Sequence, residues 1–370
     1  MSRKVMLFFI AGARPNFMKV APLIKCVRAC AASGGHDGPA LEYRLVHTGQ
    51  HYDAQMSGTF FDELGIPAPD FNLEVGSGSH AVQTAAIMTR FEAVCLNERP
   101  DWVVVVGDVN SSLACALVAA KLGIKVAHVE AGLRSFDRTM PEEINRIVTD
   151  ALADLLLTPS ADANANLRRE GVPEAKIRLV GNIMIDSLVE HLDQARARGT
   201  LSALGLQPRS FVYATLHRPA NVDERETLTG IMDQLMSLAR RMPVVFPVHP
   251  RTRRRLCEFG IPFENTAALK ILDPVGYHDS LCLTEQARFV LTDSGGLQEE
   301  STFFRTPCLT LRPNTERPVT IQLGSNRLTS LPSLEADIDR VLSGEPRTGT
   351  VPPLWDGHAA PRVLDALLAA

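Results

Sequence analysis

The sequence lacks an excess of charge of either sign, and this excludes one broad class of function. Its 370 residues include 38 Lys and Arg against 42 Asp and Glu, for a formal net charge of -4. Proteins that bind a nucleic-acid backbone gather Lys and Arg on one face. We therefore expect no nucleic-acid partner. With 45% hydrophobic and 22% charged residues, the composition is instead typical of a soluble globular protein.

Closely spaced cysteine pairs are also absent. The seven cysteines are an odd number without a C-x-x-C pair, which excludes a disulfide framework and favours a reducing, cytoplasmic location. No set of His and Cys residues has the spacing of zinc ligands. We therefore expect no metal site.

Long apolar runs are missing as well. None approaches the roughly 18 residues that span a bilayer, so we expect no membrane partner. One apolar run, from Val5, follows two basic residues and precedes an Ala-Gly-Ala sequence at 11–13 that resembles a signal-peptidase site. Because this run is short and Arg14 and Pro15 follow it directly, we interpret it as the first strand of the fold.

Short apolar runs rich in β-branched residues alternate with segments of helical period, which predicts repeated βα units around a parallel sheet. The first series has predicted strands at 5–11, 43–47, 102–106, 125–129, 155–157 and 177–180, and helices at 20–31, 81–97, 112–122, 142–151 and 184–198. A segment with Gly, Ser and Pro at 199–209 is interpreted as a linker. The second series has predicted strands at 211–215, 244–248, 269–272, 289–292 and 308–311, and helices at 224–240 and 297–304.

This pattern predicts an α/β protein of two Rossmann-like domains facing a cleft, where the strand-end loops of both would bind a ligand. We place the domains at residues 1–182 and 183–356. A last helix at about 357–370 could pack back on the first domain.

The strongest local signal is the sequence DSGGLQEE at Asp293–Glu300, directly after the predicted strand at 289–292. Gly295 and Gly296 let the backbone approach a ligand closely. The N-terminus of the following helix offers unpaired N–H groups and a positive dipole to a phosphate. The segment therefore predicts a diphosphate-binding turn. The alternative is an ordinary βα turn in which Ser294 caps the helix.

Charged residues near two predicted turns could bind the same ligand. Glu299 and Glu300 could hydrogen-bond the hydroxyls of a ribose, or lie on a solvated helix face. After the first predicted strand, Gly12 permits a tight turn, and Arg14 and Lys19 would direct cations to the cleft. Either cation could equally be a surface charge.

Three carboxylates cluster near predicted strand ends and helix starts: Asp108, Glu130 and Glu142. Several acids in one site of low dielectric constant raise one another's pKa and so supply acid and base forms near neutral pH. Taken singly, Asp108 could cap the helix that begins near Asn110, and Glu142 could complement a helix dipole. Taken together, they predict a site for acid–base chemistry.

A histidine completes the set of candidate site residues. His217, followed by Arg218, comes directly after the predicted strand at 211–215 and suits the stabilisation of charge at a departing phosphate. Taken alone, His217 could be structural. His249 has the same placement with fewer charges nearby, and His51 is intermediate between the two in weight.

The sequence GSGSHA at 76–81 has the form of a dinucleotide-binding fingerprint. It follows only a weak predicted strand at 71–75, and no strand ending in an acid lies at the required distance before residue 102. A bound nicotinamide is therefore the weaker interpretation.

Taken in order, these segments resemble the non-hydrolysing UDP-N-acetylglucosamine 2-epimerase family. At least six motifs match, from the GARP sequence at 12–15 to the TERP sequence at 315–318. The most specific are His128–Arg134, Pro141–Arg146, Gly181–Asp186 and Asp293–Glu300. The resemblance implies a two-domain fold of the glycosyltransferase-B type.

The resemblance also implies a reaction. UDP leaves C1 of UDP-N-acetylglucosamine as C2 loses its proton, and UDP then adds back to the resulting 2-acetamidoglucal while C2 is protonated on the other face. The product is UDP-N-acetylmannosamine, a precursor for surface polysaccharides, and no cofactor is needed. The alternatives are the same reaction on a 3-acetamido or uronic-acid UDP-sugar, or a glycosyltransferase.

By the same resemblance, Asp108, Glu130 and Glu142 act on the sugar, and His217 acts beside the diphosphate. Which carboxylate removes the proton and which returns it stays open. The residues expected to bind the UDP-sugar are Arg14, Lys19, His51, Arg134, Ser294, Gly295, Gly296, Glu300 and Arg317. The resemblance further implies a homodimer.

The sequence departs from the family at two segments that, in bacterial members, help to form an allosteric site for UDP-N-acetylglucosamine. Tyr52 and Asp53 replace Arg-Glu or Arg-Gln after His51, and Pro219 replaces a second Arg after Arg218. These departures weaken the expectation of activation by the substrate.

Overall fold

The computed structural model of the chain describes residues 4–33, 40–50, 65–344 and 349–370. The chain divides into two compact units, one of Met1–Val189 with Pro353–Ala370 and one of Glu190–Pro352. Each unit is built around one parallel sheet with helices. The predicted α/β class is therefore confirmed.

The first unit contains a seven-stranded sheet. Its strands are β1 (Val5–Ala11), β2 (Leu41–His47), β3 (Phe71–Asn72), β4 (Trp102–Val106), β5 (Lys125–Val129), β6 (Leu155–Thr158) and β7 (Ile177–Leu179). Its helices are α1 (Arg14–Ser33), α2 (His80–Glu98), α3 (Asn110–Lys121), α4 (Pro141–Leu152), α5 (Ala161–Arg169) and the start of α6 (Ile183–Ala197). The last helix of the chain, Ala359–Ala369, packs against α1 of this unit.

The strand order in this sheet is β3-β2-β1-β4-β5-β6-β7. The chain moves outward from β1 to β3 and then returns to pair β4 with β1, in parallel. The loops after β1 and β4 therefore run to opposite sides, and a crevice for ligands forms at the carboxyl ends of these two strands. The candidate residues Lys19 and Asp108 follow these two strands.

The central strands are buried for their whole length. All five residues of β4 are buried, because helices cover a parallel sheet on both faces. In β1, the residues from Leu7 onward are fully or nearly fully buried. The interpretation of the first apolar run as a strand is thus confirmed.

The second unit contains a six-stranded sheet in the order β10-β9-β8-β11-β12-β13. Its strands are β8 (Val212–Thr215), β9 (Val244–Pro247), β10 (Leu269–Leu272), β11 (Phe289–Thr292), β12 (Cys308–Leu311) and β13 (Asn326–Thr329). Its helices are α7 (Thr200–Ala203), α8 (Pro219–Val222), α9 (Arg225–Ala239), α10 (Pro250–Phe259), α11 (Tyr277–Gln286), α12 (Gly295–Phe304), α13 (Val319–Gln322) and α14 (Leu334–Leu342). Here the strand order reverses between β8 and β11, so His217 and Ser294 follow the two strands that flank the crevice.

Several elements escape prediction from the sequence, among them α5, α10, α11, α14 and β13. Helix α10 buries only Thr252 and Leu256, so its apolar stripe is too narrow for a helical period to be visible. Helix α5 likewise buries only Ala163, Asn166 and Leu167. The segment at 199–209, interpreted as a linker, contains α7.

Within the described residues, no helix has both the length and the apolar character needed to cross a bilayer.

Candidate active site

A buried ion pair lies at the carboxyl ends of β4 and β5 in the first unit. The ammonium group of Lys19, from α1, contacts Oε2 of Glu130, and the two side chains are 7% and 4% exposed. A Cβ atom at Gly107 would come within 2.7 Å of Lys19 Nζ, so a glycine leaves room for the cation. Burial of a charge is costly unless an opposite charge compensates it. Lys19 and Glu130 therefore compensate each other.

The backbone of Glu130 is held in an unusual conformation. Its φ angle is 71°, in the left-handed region that residues other than glycine rarely adopt. The Glu130 amide donates a 3.0 Å hydrogen bond to the carbonyl oxygen of Leu157, which ties the end of β5 to β6. Strain of this kind costs about 1–3 kcal/mol and is concentrated at functional positions.

Asp108 follows β4 and is held by an arginine of α4. Arg146 contacts Oδ2 of Asp108, and its Nη2 atom lies 2.8 Å from Oε2 of Glu143. The Asp108 side chain is 27% exposed, whereas that of Arg146 is 3% exposed. The interpretation of Asp108 as a helix cap is wrong, because α3 starts after Val109 and this helix start, within the described residues, has no side-chain cap. A buried arginine instead presents the Asp108 carboxylate to the site.

Glu143 holds Arg146 in this arrangement. The sequence did not predict this role. Its carboxylate accepts hydrogen bonds from the amides of Ser135 and Phe136, both at 2.9 Å. Burial alone would raise the pKa of Glu143, but Ser135, Arg146 and Phe136 outweigh this effect and lower it below the usual value. Glu143 is thus an ionised, buried anchor for Arg146, whereas the neighbouring Glu142 is exposed.

Two of the three predicted carboxylates line one pocket. Asp108 and Glu142 border a pocket of about 290 Å³ in the first unit. Its other lining residues are Gln50, Ser77, Gly78, His80, Gln83, Val109, Asn110, Pro141 and Asn145. Glu142 also lies in the first turn of α4, where it complements the helix dipole as expected. Glu130 is not among the lining residues and lies buried against Lys19.

The GSGSHA segment, which had only a weak interpretation from the sequence, forms part of this pocket. Ser77, Gly78 and His80 line it, and the hydroxyl of Ser79 caps α2 by accepting a bond from the Val82 amide. Ser77, Gly78 and His80 therefore line the same pocket as Asp108. The local sequence did not indicate this, because only the order of the strands in the sheet brings this segment close to Asp108.

Side-chain amides connect the walls of the pocket. Nδ2 of Asn110 donates to Oε1 of Gln83 at 2.9 Å, and Nδ2 of Asn145 donates to the backbone oxygen of Asp108 at 2.9 Å. Nε2 of Gln83 donates to the backbone oxygen of Gln50 at 3.2 Å. The lining thus combines two carboxylates with several amides, a set suited to the hydroxyl and acetamido groups of a sugar.

Arg134 lies apart from this pocket, in a buried network. Its Nη1 atom is 2.7 Å from Oδ2 of Asp150, and its Nη2 atom is 2.7 Å from Oε2 of Glu170. Asp150 also contacts Nδ1 of His128 at 2.6 Å. Burial opposes ionisation of Asp150, but His128 and Arg134 hold its pKa below the usual value. Arg134 is not among the residues that line the pocket, and its predicted contact with substrate stays a prediction.

In the second unit, His217 lies at the carboxyl end of β8. Its Nδ1 atom is 2.9 Å from Oδ1 of Asp293, which follows β11, and the His217 side chain is 40% exposed. The ring of His249 lies close by, with 5.5 Å between the ring centroids. The two histidines that the sequence placed at strand ends are therefore neighbours.

The predicted phosphate-binding turn lies between β11 and α12. Ser294 occupies the N-cap position, but its side chain makes no capping hydrogen bond to the described residues. The alternative in which Ser294 caps the helix is therefore wrong, and the start of α12 has no side-chain cap within the described residues. A Cβ atom at Gly295 would come within 2.8 Å of Arg317 Nη1, so a larger residue there would displace the end of the Arg317 side chain.

Glu299, Glu300 and Arg317 lie together behind this turn. Oε1 of Glu299 is 2.8 Å from Nε of Arg317, and Arg317 also contacts Glu316. Glu300 is 5% exposed and Glu299 is 1% exposed, so their interpretation as a solvated helix face is wrong. Burial and then the neighbouring Glu299 raise the pKa of Glu300 to about 8. Glu300 therefore carries a proton at neutral pH.

Two predicted site residues cannot be placed. His51 and the side chain of Arg14 lie outside the described residues. Within residues 4–33, 40–50, 65–344 and 349–370, no group of three or more His, Cys, Asp or Glu side chains could hold a metal ion.

Comparisons with known proteins show the family of the chain. A sequence model of the family "UDP-N-acetylglucosamine 2-epimerase" matches residues 35–368. A UDP-N-acetylglucosamine 2-epimerase of Methanocaldococcus jannaschii is 43% identical over 330 residues, which are 87% of this chain and 87% of that protein. A UDP-2,3-diacetamido-2,3-dideoxy-D-glucuronate 2-epimerase of Pseudomonas aeruginosa is 42% identical over 323 residues, 86% of each protein.

Similarity to solved structures supports the same family. The crystal structure of the Methanocaldococcus jannaschii UDP-GlcNAc 2-epimerase in complex with UDP-GlcNAc and UDP matches with a TM-score of 0.88 at 39% identity, and covers 99% of this chain and 100% of that one. A lipopolysaccharide outer core galactosyltransferase matches with a TM-score of 0.52 at 14% identity over 99% of each chain. This second similarity concerns the fold alone, and it agrees with the expected glycosyltransferase-B type.

Proposed function

Since the chain belongs to the UDP-N-acetylglucosamine 2-epimerase family, we propose that it interconverts UDP-N-acetylglucosamine and UDP-N-acetylmannosamine without net hydrolysis. One observation supports this most directly. Asp108 and Glu142 border the same pocket of the first unit, although 34 positions separate them in the chain. Inversion at a carbon needs one group that removes a proton and another that returns it to the opposite face, and a pair of carboxylates in one pocket supplies both.

The proposed reaction balances without a redox step. A carboxylate takes the proton from C2, the C–H electrons form the C1–C2 double bond, and the C1–O bond breaks with its electron pair leaving on UDP. In the second half, UDP adds back to C1 as a carboxylic acid protonates C2 on the other face. Asp108, Glu130 and Glu142 are the proposed acid–base groups, with Lys19 compensating the charge of Glu130.

The second unit is proposed to bind UDP. The uncapped N-terminus of α12 at Ser294, Gly295 and Gly296 suits the diphosphate. Glu300, protonated at neutral pH, is proposed to bind the ribose, and Arg317 to complete the nucleotide site. His217 is proposed to stabilise the charge that develops on the departing diphosphate.

A second candidate substrate is a modified UDP-sugar. The Pseudomonas aeruginosa relative that acts on a diacetamido glucuronate is 42% identical, close to the 43% of the Methanocaldococcus relative. Both substrates would undergo the same chemistry at C2. We favour the unmodified sugar because the described lining of the pocket contains two carboxylates and no Lys or Arg, which disfavours a uronate carboxylate.

Proton NMR in deuterated water tests the proposed function. Pure UDP-N-acetylglucosamine should gain deuterium at C2 while the signals of UDP-N-acetylmannosamine appear, and free UDP should not accumulate. The diacetamido uronate substrate, supplied in parallel, should react more slowly. If no deuterium enters C2 of either sugar and UDP is released only when an acceptor alcohol is added, the chain is a glycosyltransferase and the proposal is wrong.

Three further features are proposed from family membership rather than from the geometry of the site. They are a homodimeric assembly, a cytoplasmic location and supply of a precursor for surface polysaccharides. Light scattering of the purified chain tests the first, with a mass near twice 40.4 kDa expected.

A further inference from the structure

Asp293 begins the motif at Asp293–Glu300, yet neither phosphate nor ribose binding gives it a role. It follows β11, and its side chain is 0% exposed. Strand β11 pairs with β8 so that Thr292 lies opposite Thr215. The carboxyl group of Asp293 therefore lies beside the loop that carries His217. A buried carboxylate needs compensating partners, and the partners of Asp293 reveal what it orients.

Four donors converge on the Asp293 carboxylate. The backbone amides of His217 and Arg218 donate to Oδ2 at 3.0 and 2.9 Å, and Nδ2 of Asn221 donates to it at 3.0 Å. The fourth donor is Nδ1 of His217, 2.9 Å from Oδ1. Burial alone would raise the pKa of Asp293, but His217, Asn221 and Arg218 hold it below the usual value. Asp293 is therefore an ionised carboxylate, which only accepts hydrogen bonds.

This arrangement determines which nitrogen of His217 carries a hydrogen. Because an ionised carboxylate has no hydrogen to donate, Nδ1 of His217 is the donor of the pair. Nε2 is then the nitrogen left to act on a ligand, and the side chain is 40% exposed. To donate to a phosphate oxygen, Nε2 must also carry a hydrogen, and the ring is then a cation. The charge of Asp293 compensates that cation, as a carboxylate does for a catalytic histidine in other enzymes.

We propose that Asp293 is a positioning residue for the reaction, which holds His217 through Nδ1 so that Nε2 donates to the departing diphosphate. The proposal rests on the proposed function, because His217 has this role only if UDP leaves. Asp293 acts through His217 and makes no contact with the substrate.

A purely structural role is the competing explanation. All four donors belong to residues 217–221, which follow β8, so their bonds to the carboxylate also order that segment. Asn221 offers a matched control, because Asn221→Ala removes its bond to Asp293 and its 3.0 Å bond to the carbonyl oxygen of Leu311. The same substitution leaves the contact between His217 and Asp293 in place.

A double-mutant cycle separates the two explanations. Asp293→Asn should lower kcat about tenfold or more with a smaller change in KM. In the His217→Ala background, Asp293→Asn should change kcat by less than about twofold, because its partner is already gone. Asn221→Ala should lower the melting temperature with little change in kcat. If the double variant loses kcat by the product of the two separate losses, the proposal is wrong.

A second measurement requires neither turnover nor a stable variant. Nitrogen-15 NMR of the wild-type histidines should show a hydrogen on Nδ1 of His217 throughout the pH range in which the protein is folded. A neutral His217 with its hydrogen on Nε2 and a bare Nδ1 would overturn the proposal. If the wild type incorporates no deuterium at C2, the proposed function fails and the proposal with it. If deuterium is incorporated but the cycle is multiplicative, the positioning role alone fails.

Discussion

The two units bring the carboxyl ends of similarly ordered parallel strands to their crevices, yet they hold their candidate catalytic side chains in opposite ways. In the first unit, cations hold the acids: Lys19 contacts Glu130, and Arg146 contacts Asp108. In the second unit, an acid holds the histidine, since Asp293 anchors His217. The sheet order therefore decides where functional groups converge, while the loops decide which charge is presented there.

Buried carboxyl groups differ in how completely their charge is compensated. Glu143 and Asp150 of the first unit are buried but have lowered pKa values because arginine, histidine or amide donors surround them. Glu300 of the second unit is buried beside another glutamate, and its pKa is raised to about 8. Glu143, Asp150 and Asp293 are thus fixed anions, whereas Glu300 carries a proton.

The largest expected effect tests the chemical role of the first unit. Asp108→Asn should lower turnover and the incorporation of deuterium at C2 by a factor of about 10²–10⁴, because general acid–base catalysis contributes that much. Binding of UDP, measured by calorimetry, should stay close to that of the wild type. The exposed Asp273, paired with Arg253, gives the control Asp273→Asn, which should be fully active. Equal losses of UDP binding and turnover in Asp108→Asn would contradict the division of roles between the units.

The next effect concerns the buried ion pair of the first unit. Lys19→Met should lower the free energy of unfolding by about 3–5 kcal/mol, because it leaves the Glu130 carboxylate buried without its cation. Denaturant titration measures the change. Lys4 pairs with Glu42 on the surface, so Lys4→Met should leave unfolding nearly unchanged. If both variants unfold alike, cations do not hold the acids of the first unit as described.

The third effect tests the second unit. His217→Ala should lower turnover by a factor on the order of 100 or more if His217 stabilises the departing diphosphate. The neighbouring His249 supplies the control, and His249→Ala should have a much smaller effect. Initial rates of epimerisation are the measurement. Near-normal turnover in His217→Ala would remove this histidine from the mechanism.

The smallest expected effect tests the raised pKa of Glu300, which sets it apart from the ionised buried carboxyls. Between pH 4.5 and about 8, folded Glu300 keeps a proton that the unfolded chain releases. The wild type should therefore lose about 1 kcal/mol of stability per pH unit as the pH rises through this window. Glu300→Gln has no such proton, so its stability relative to the wild type should increase with pH. Denaturation midpoints at pH 5.5 and 7.5 check this, and equal differences at both values would contradict the raised pKa.

Much of the fold was predictable because its strands are apolar and rich in β-branched residues. The run at Trp102–Val106 is a buried central strand, as its lack of alternation indicates. Helix α10 was not predictable, since only Thr252 and Leu256 are buried along it. Helix α11 was missed for a different reason: seven of its ten residues are buried, so its sequence shows no clear division into an apolar and a polar face.

The positions of the acids in the candidate site and of the turn before α12 could be predicted from the sequence. The side chains that hold the acids in place could not. Asp108 and Glu142 stand at a strand end and a helix start, which placed them at one edge of a predicted sheet. Glu143 looks like Glu142 in the sequence, yet one is a buried anchor and the other is exposed. Only the packing of α4 against the sheet distinguishes the two.

The sequence by itself determined the class of fold, the resemblance to an epimerase family and the residue types that gather at strand ends. These follow from local pattern, because apolar periodicity and short motifs need no long-range information. Tertiary structure alone decided the protonation and pairing of the site: Lys19 with Glu130, Arg146 with Asp108, and Asp293 with His217. Charges are compensated by whichever groups packing brings within hydrogen-bond distance, and for these three pairs the partners lie between 38 and 111 positions apart.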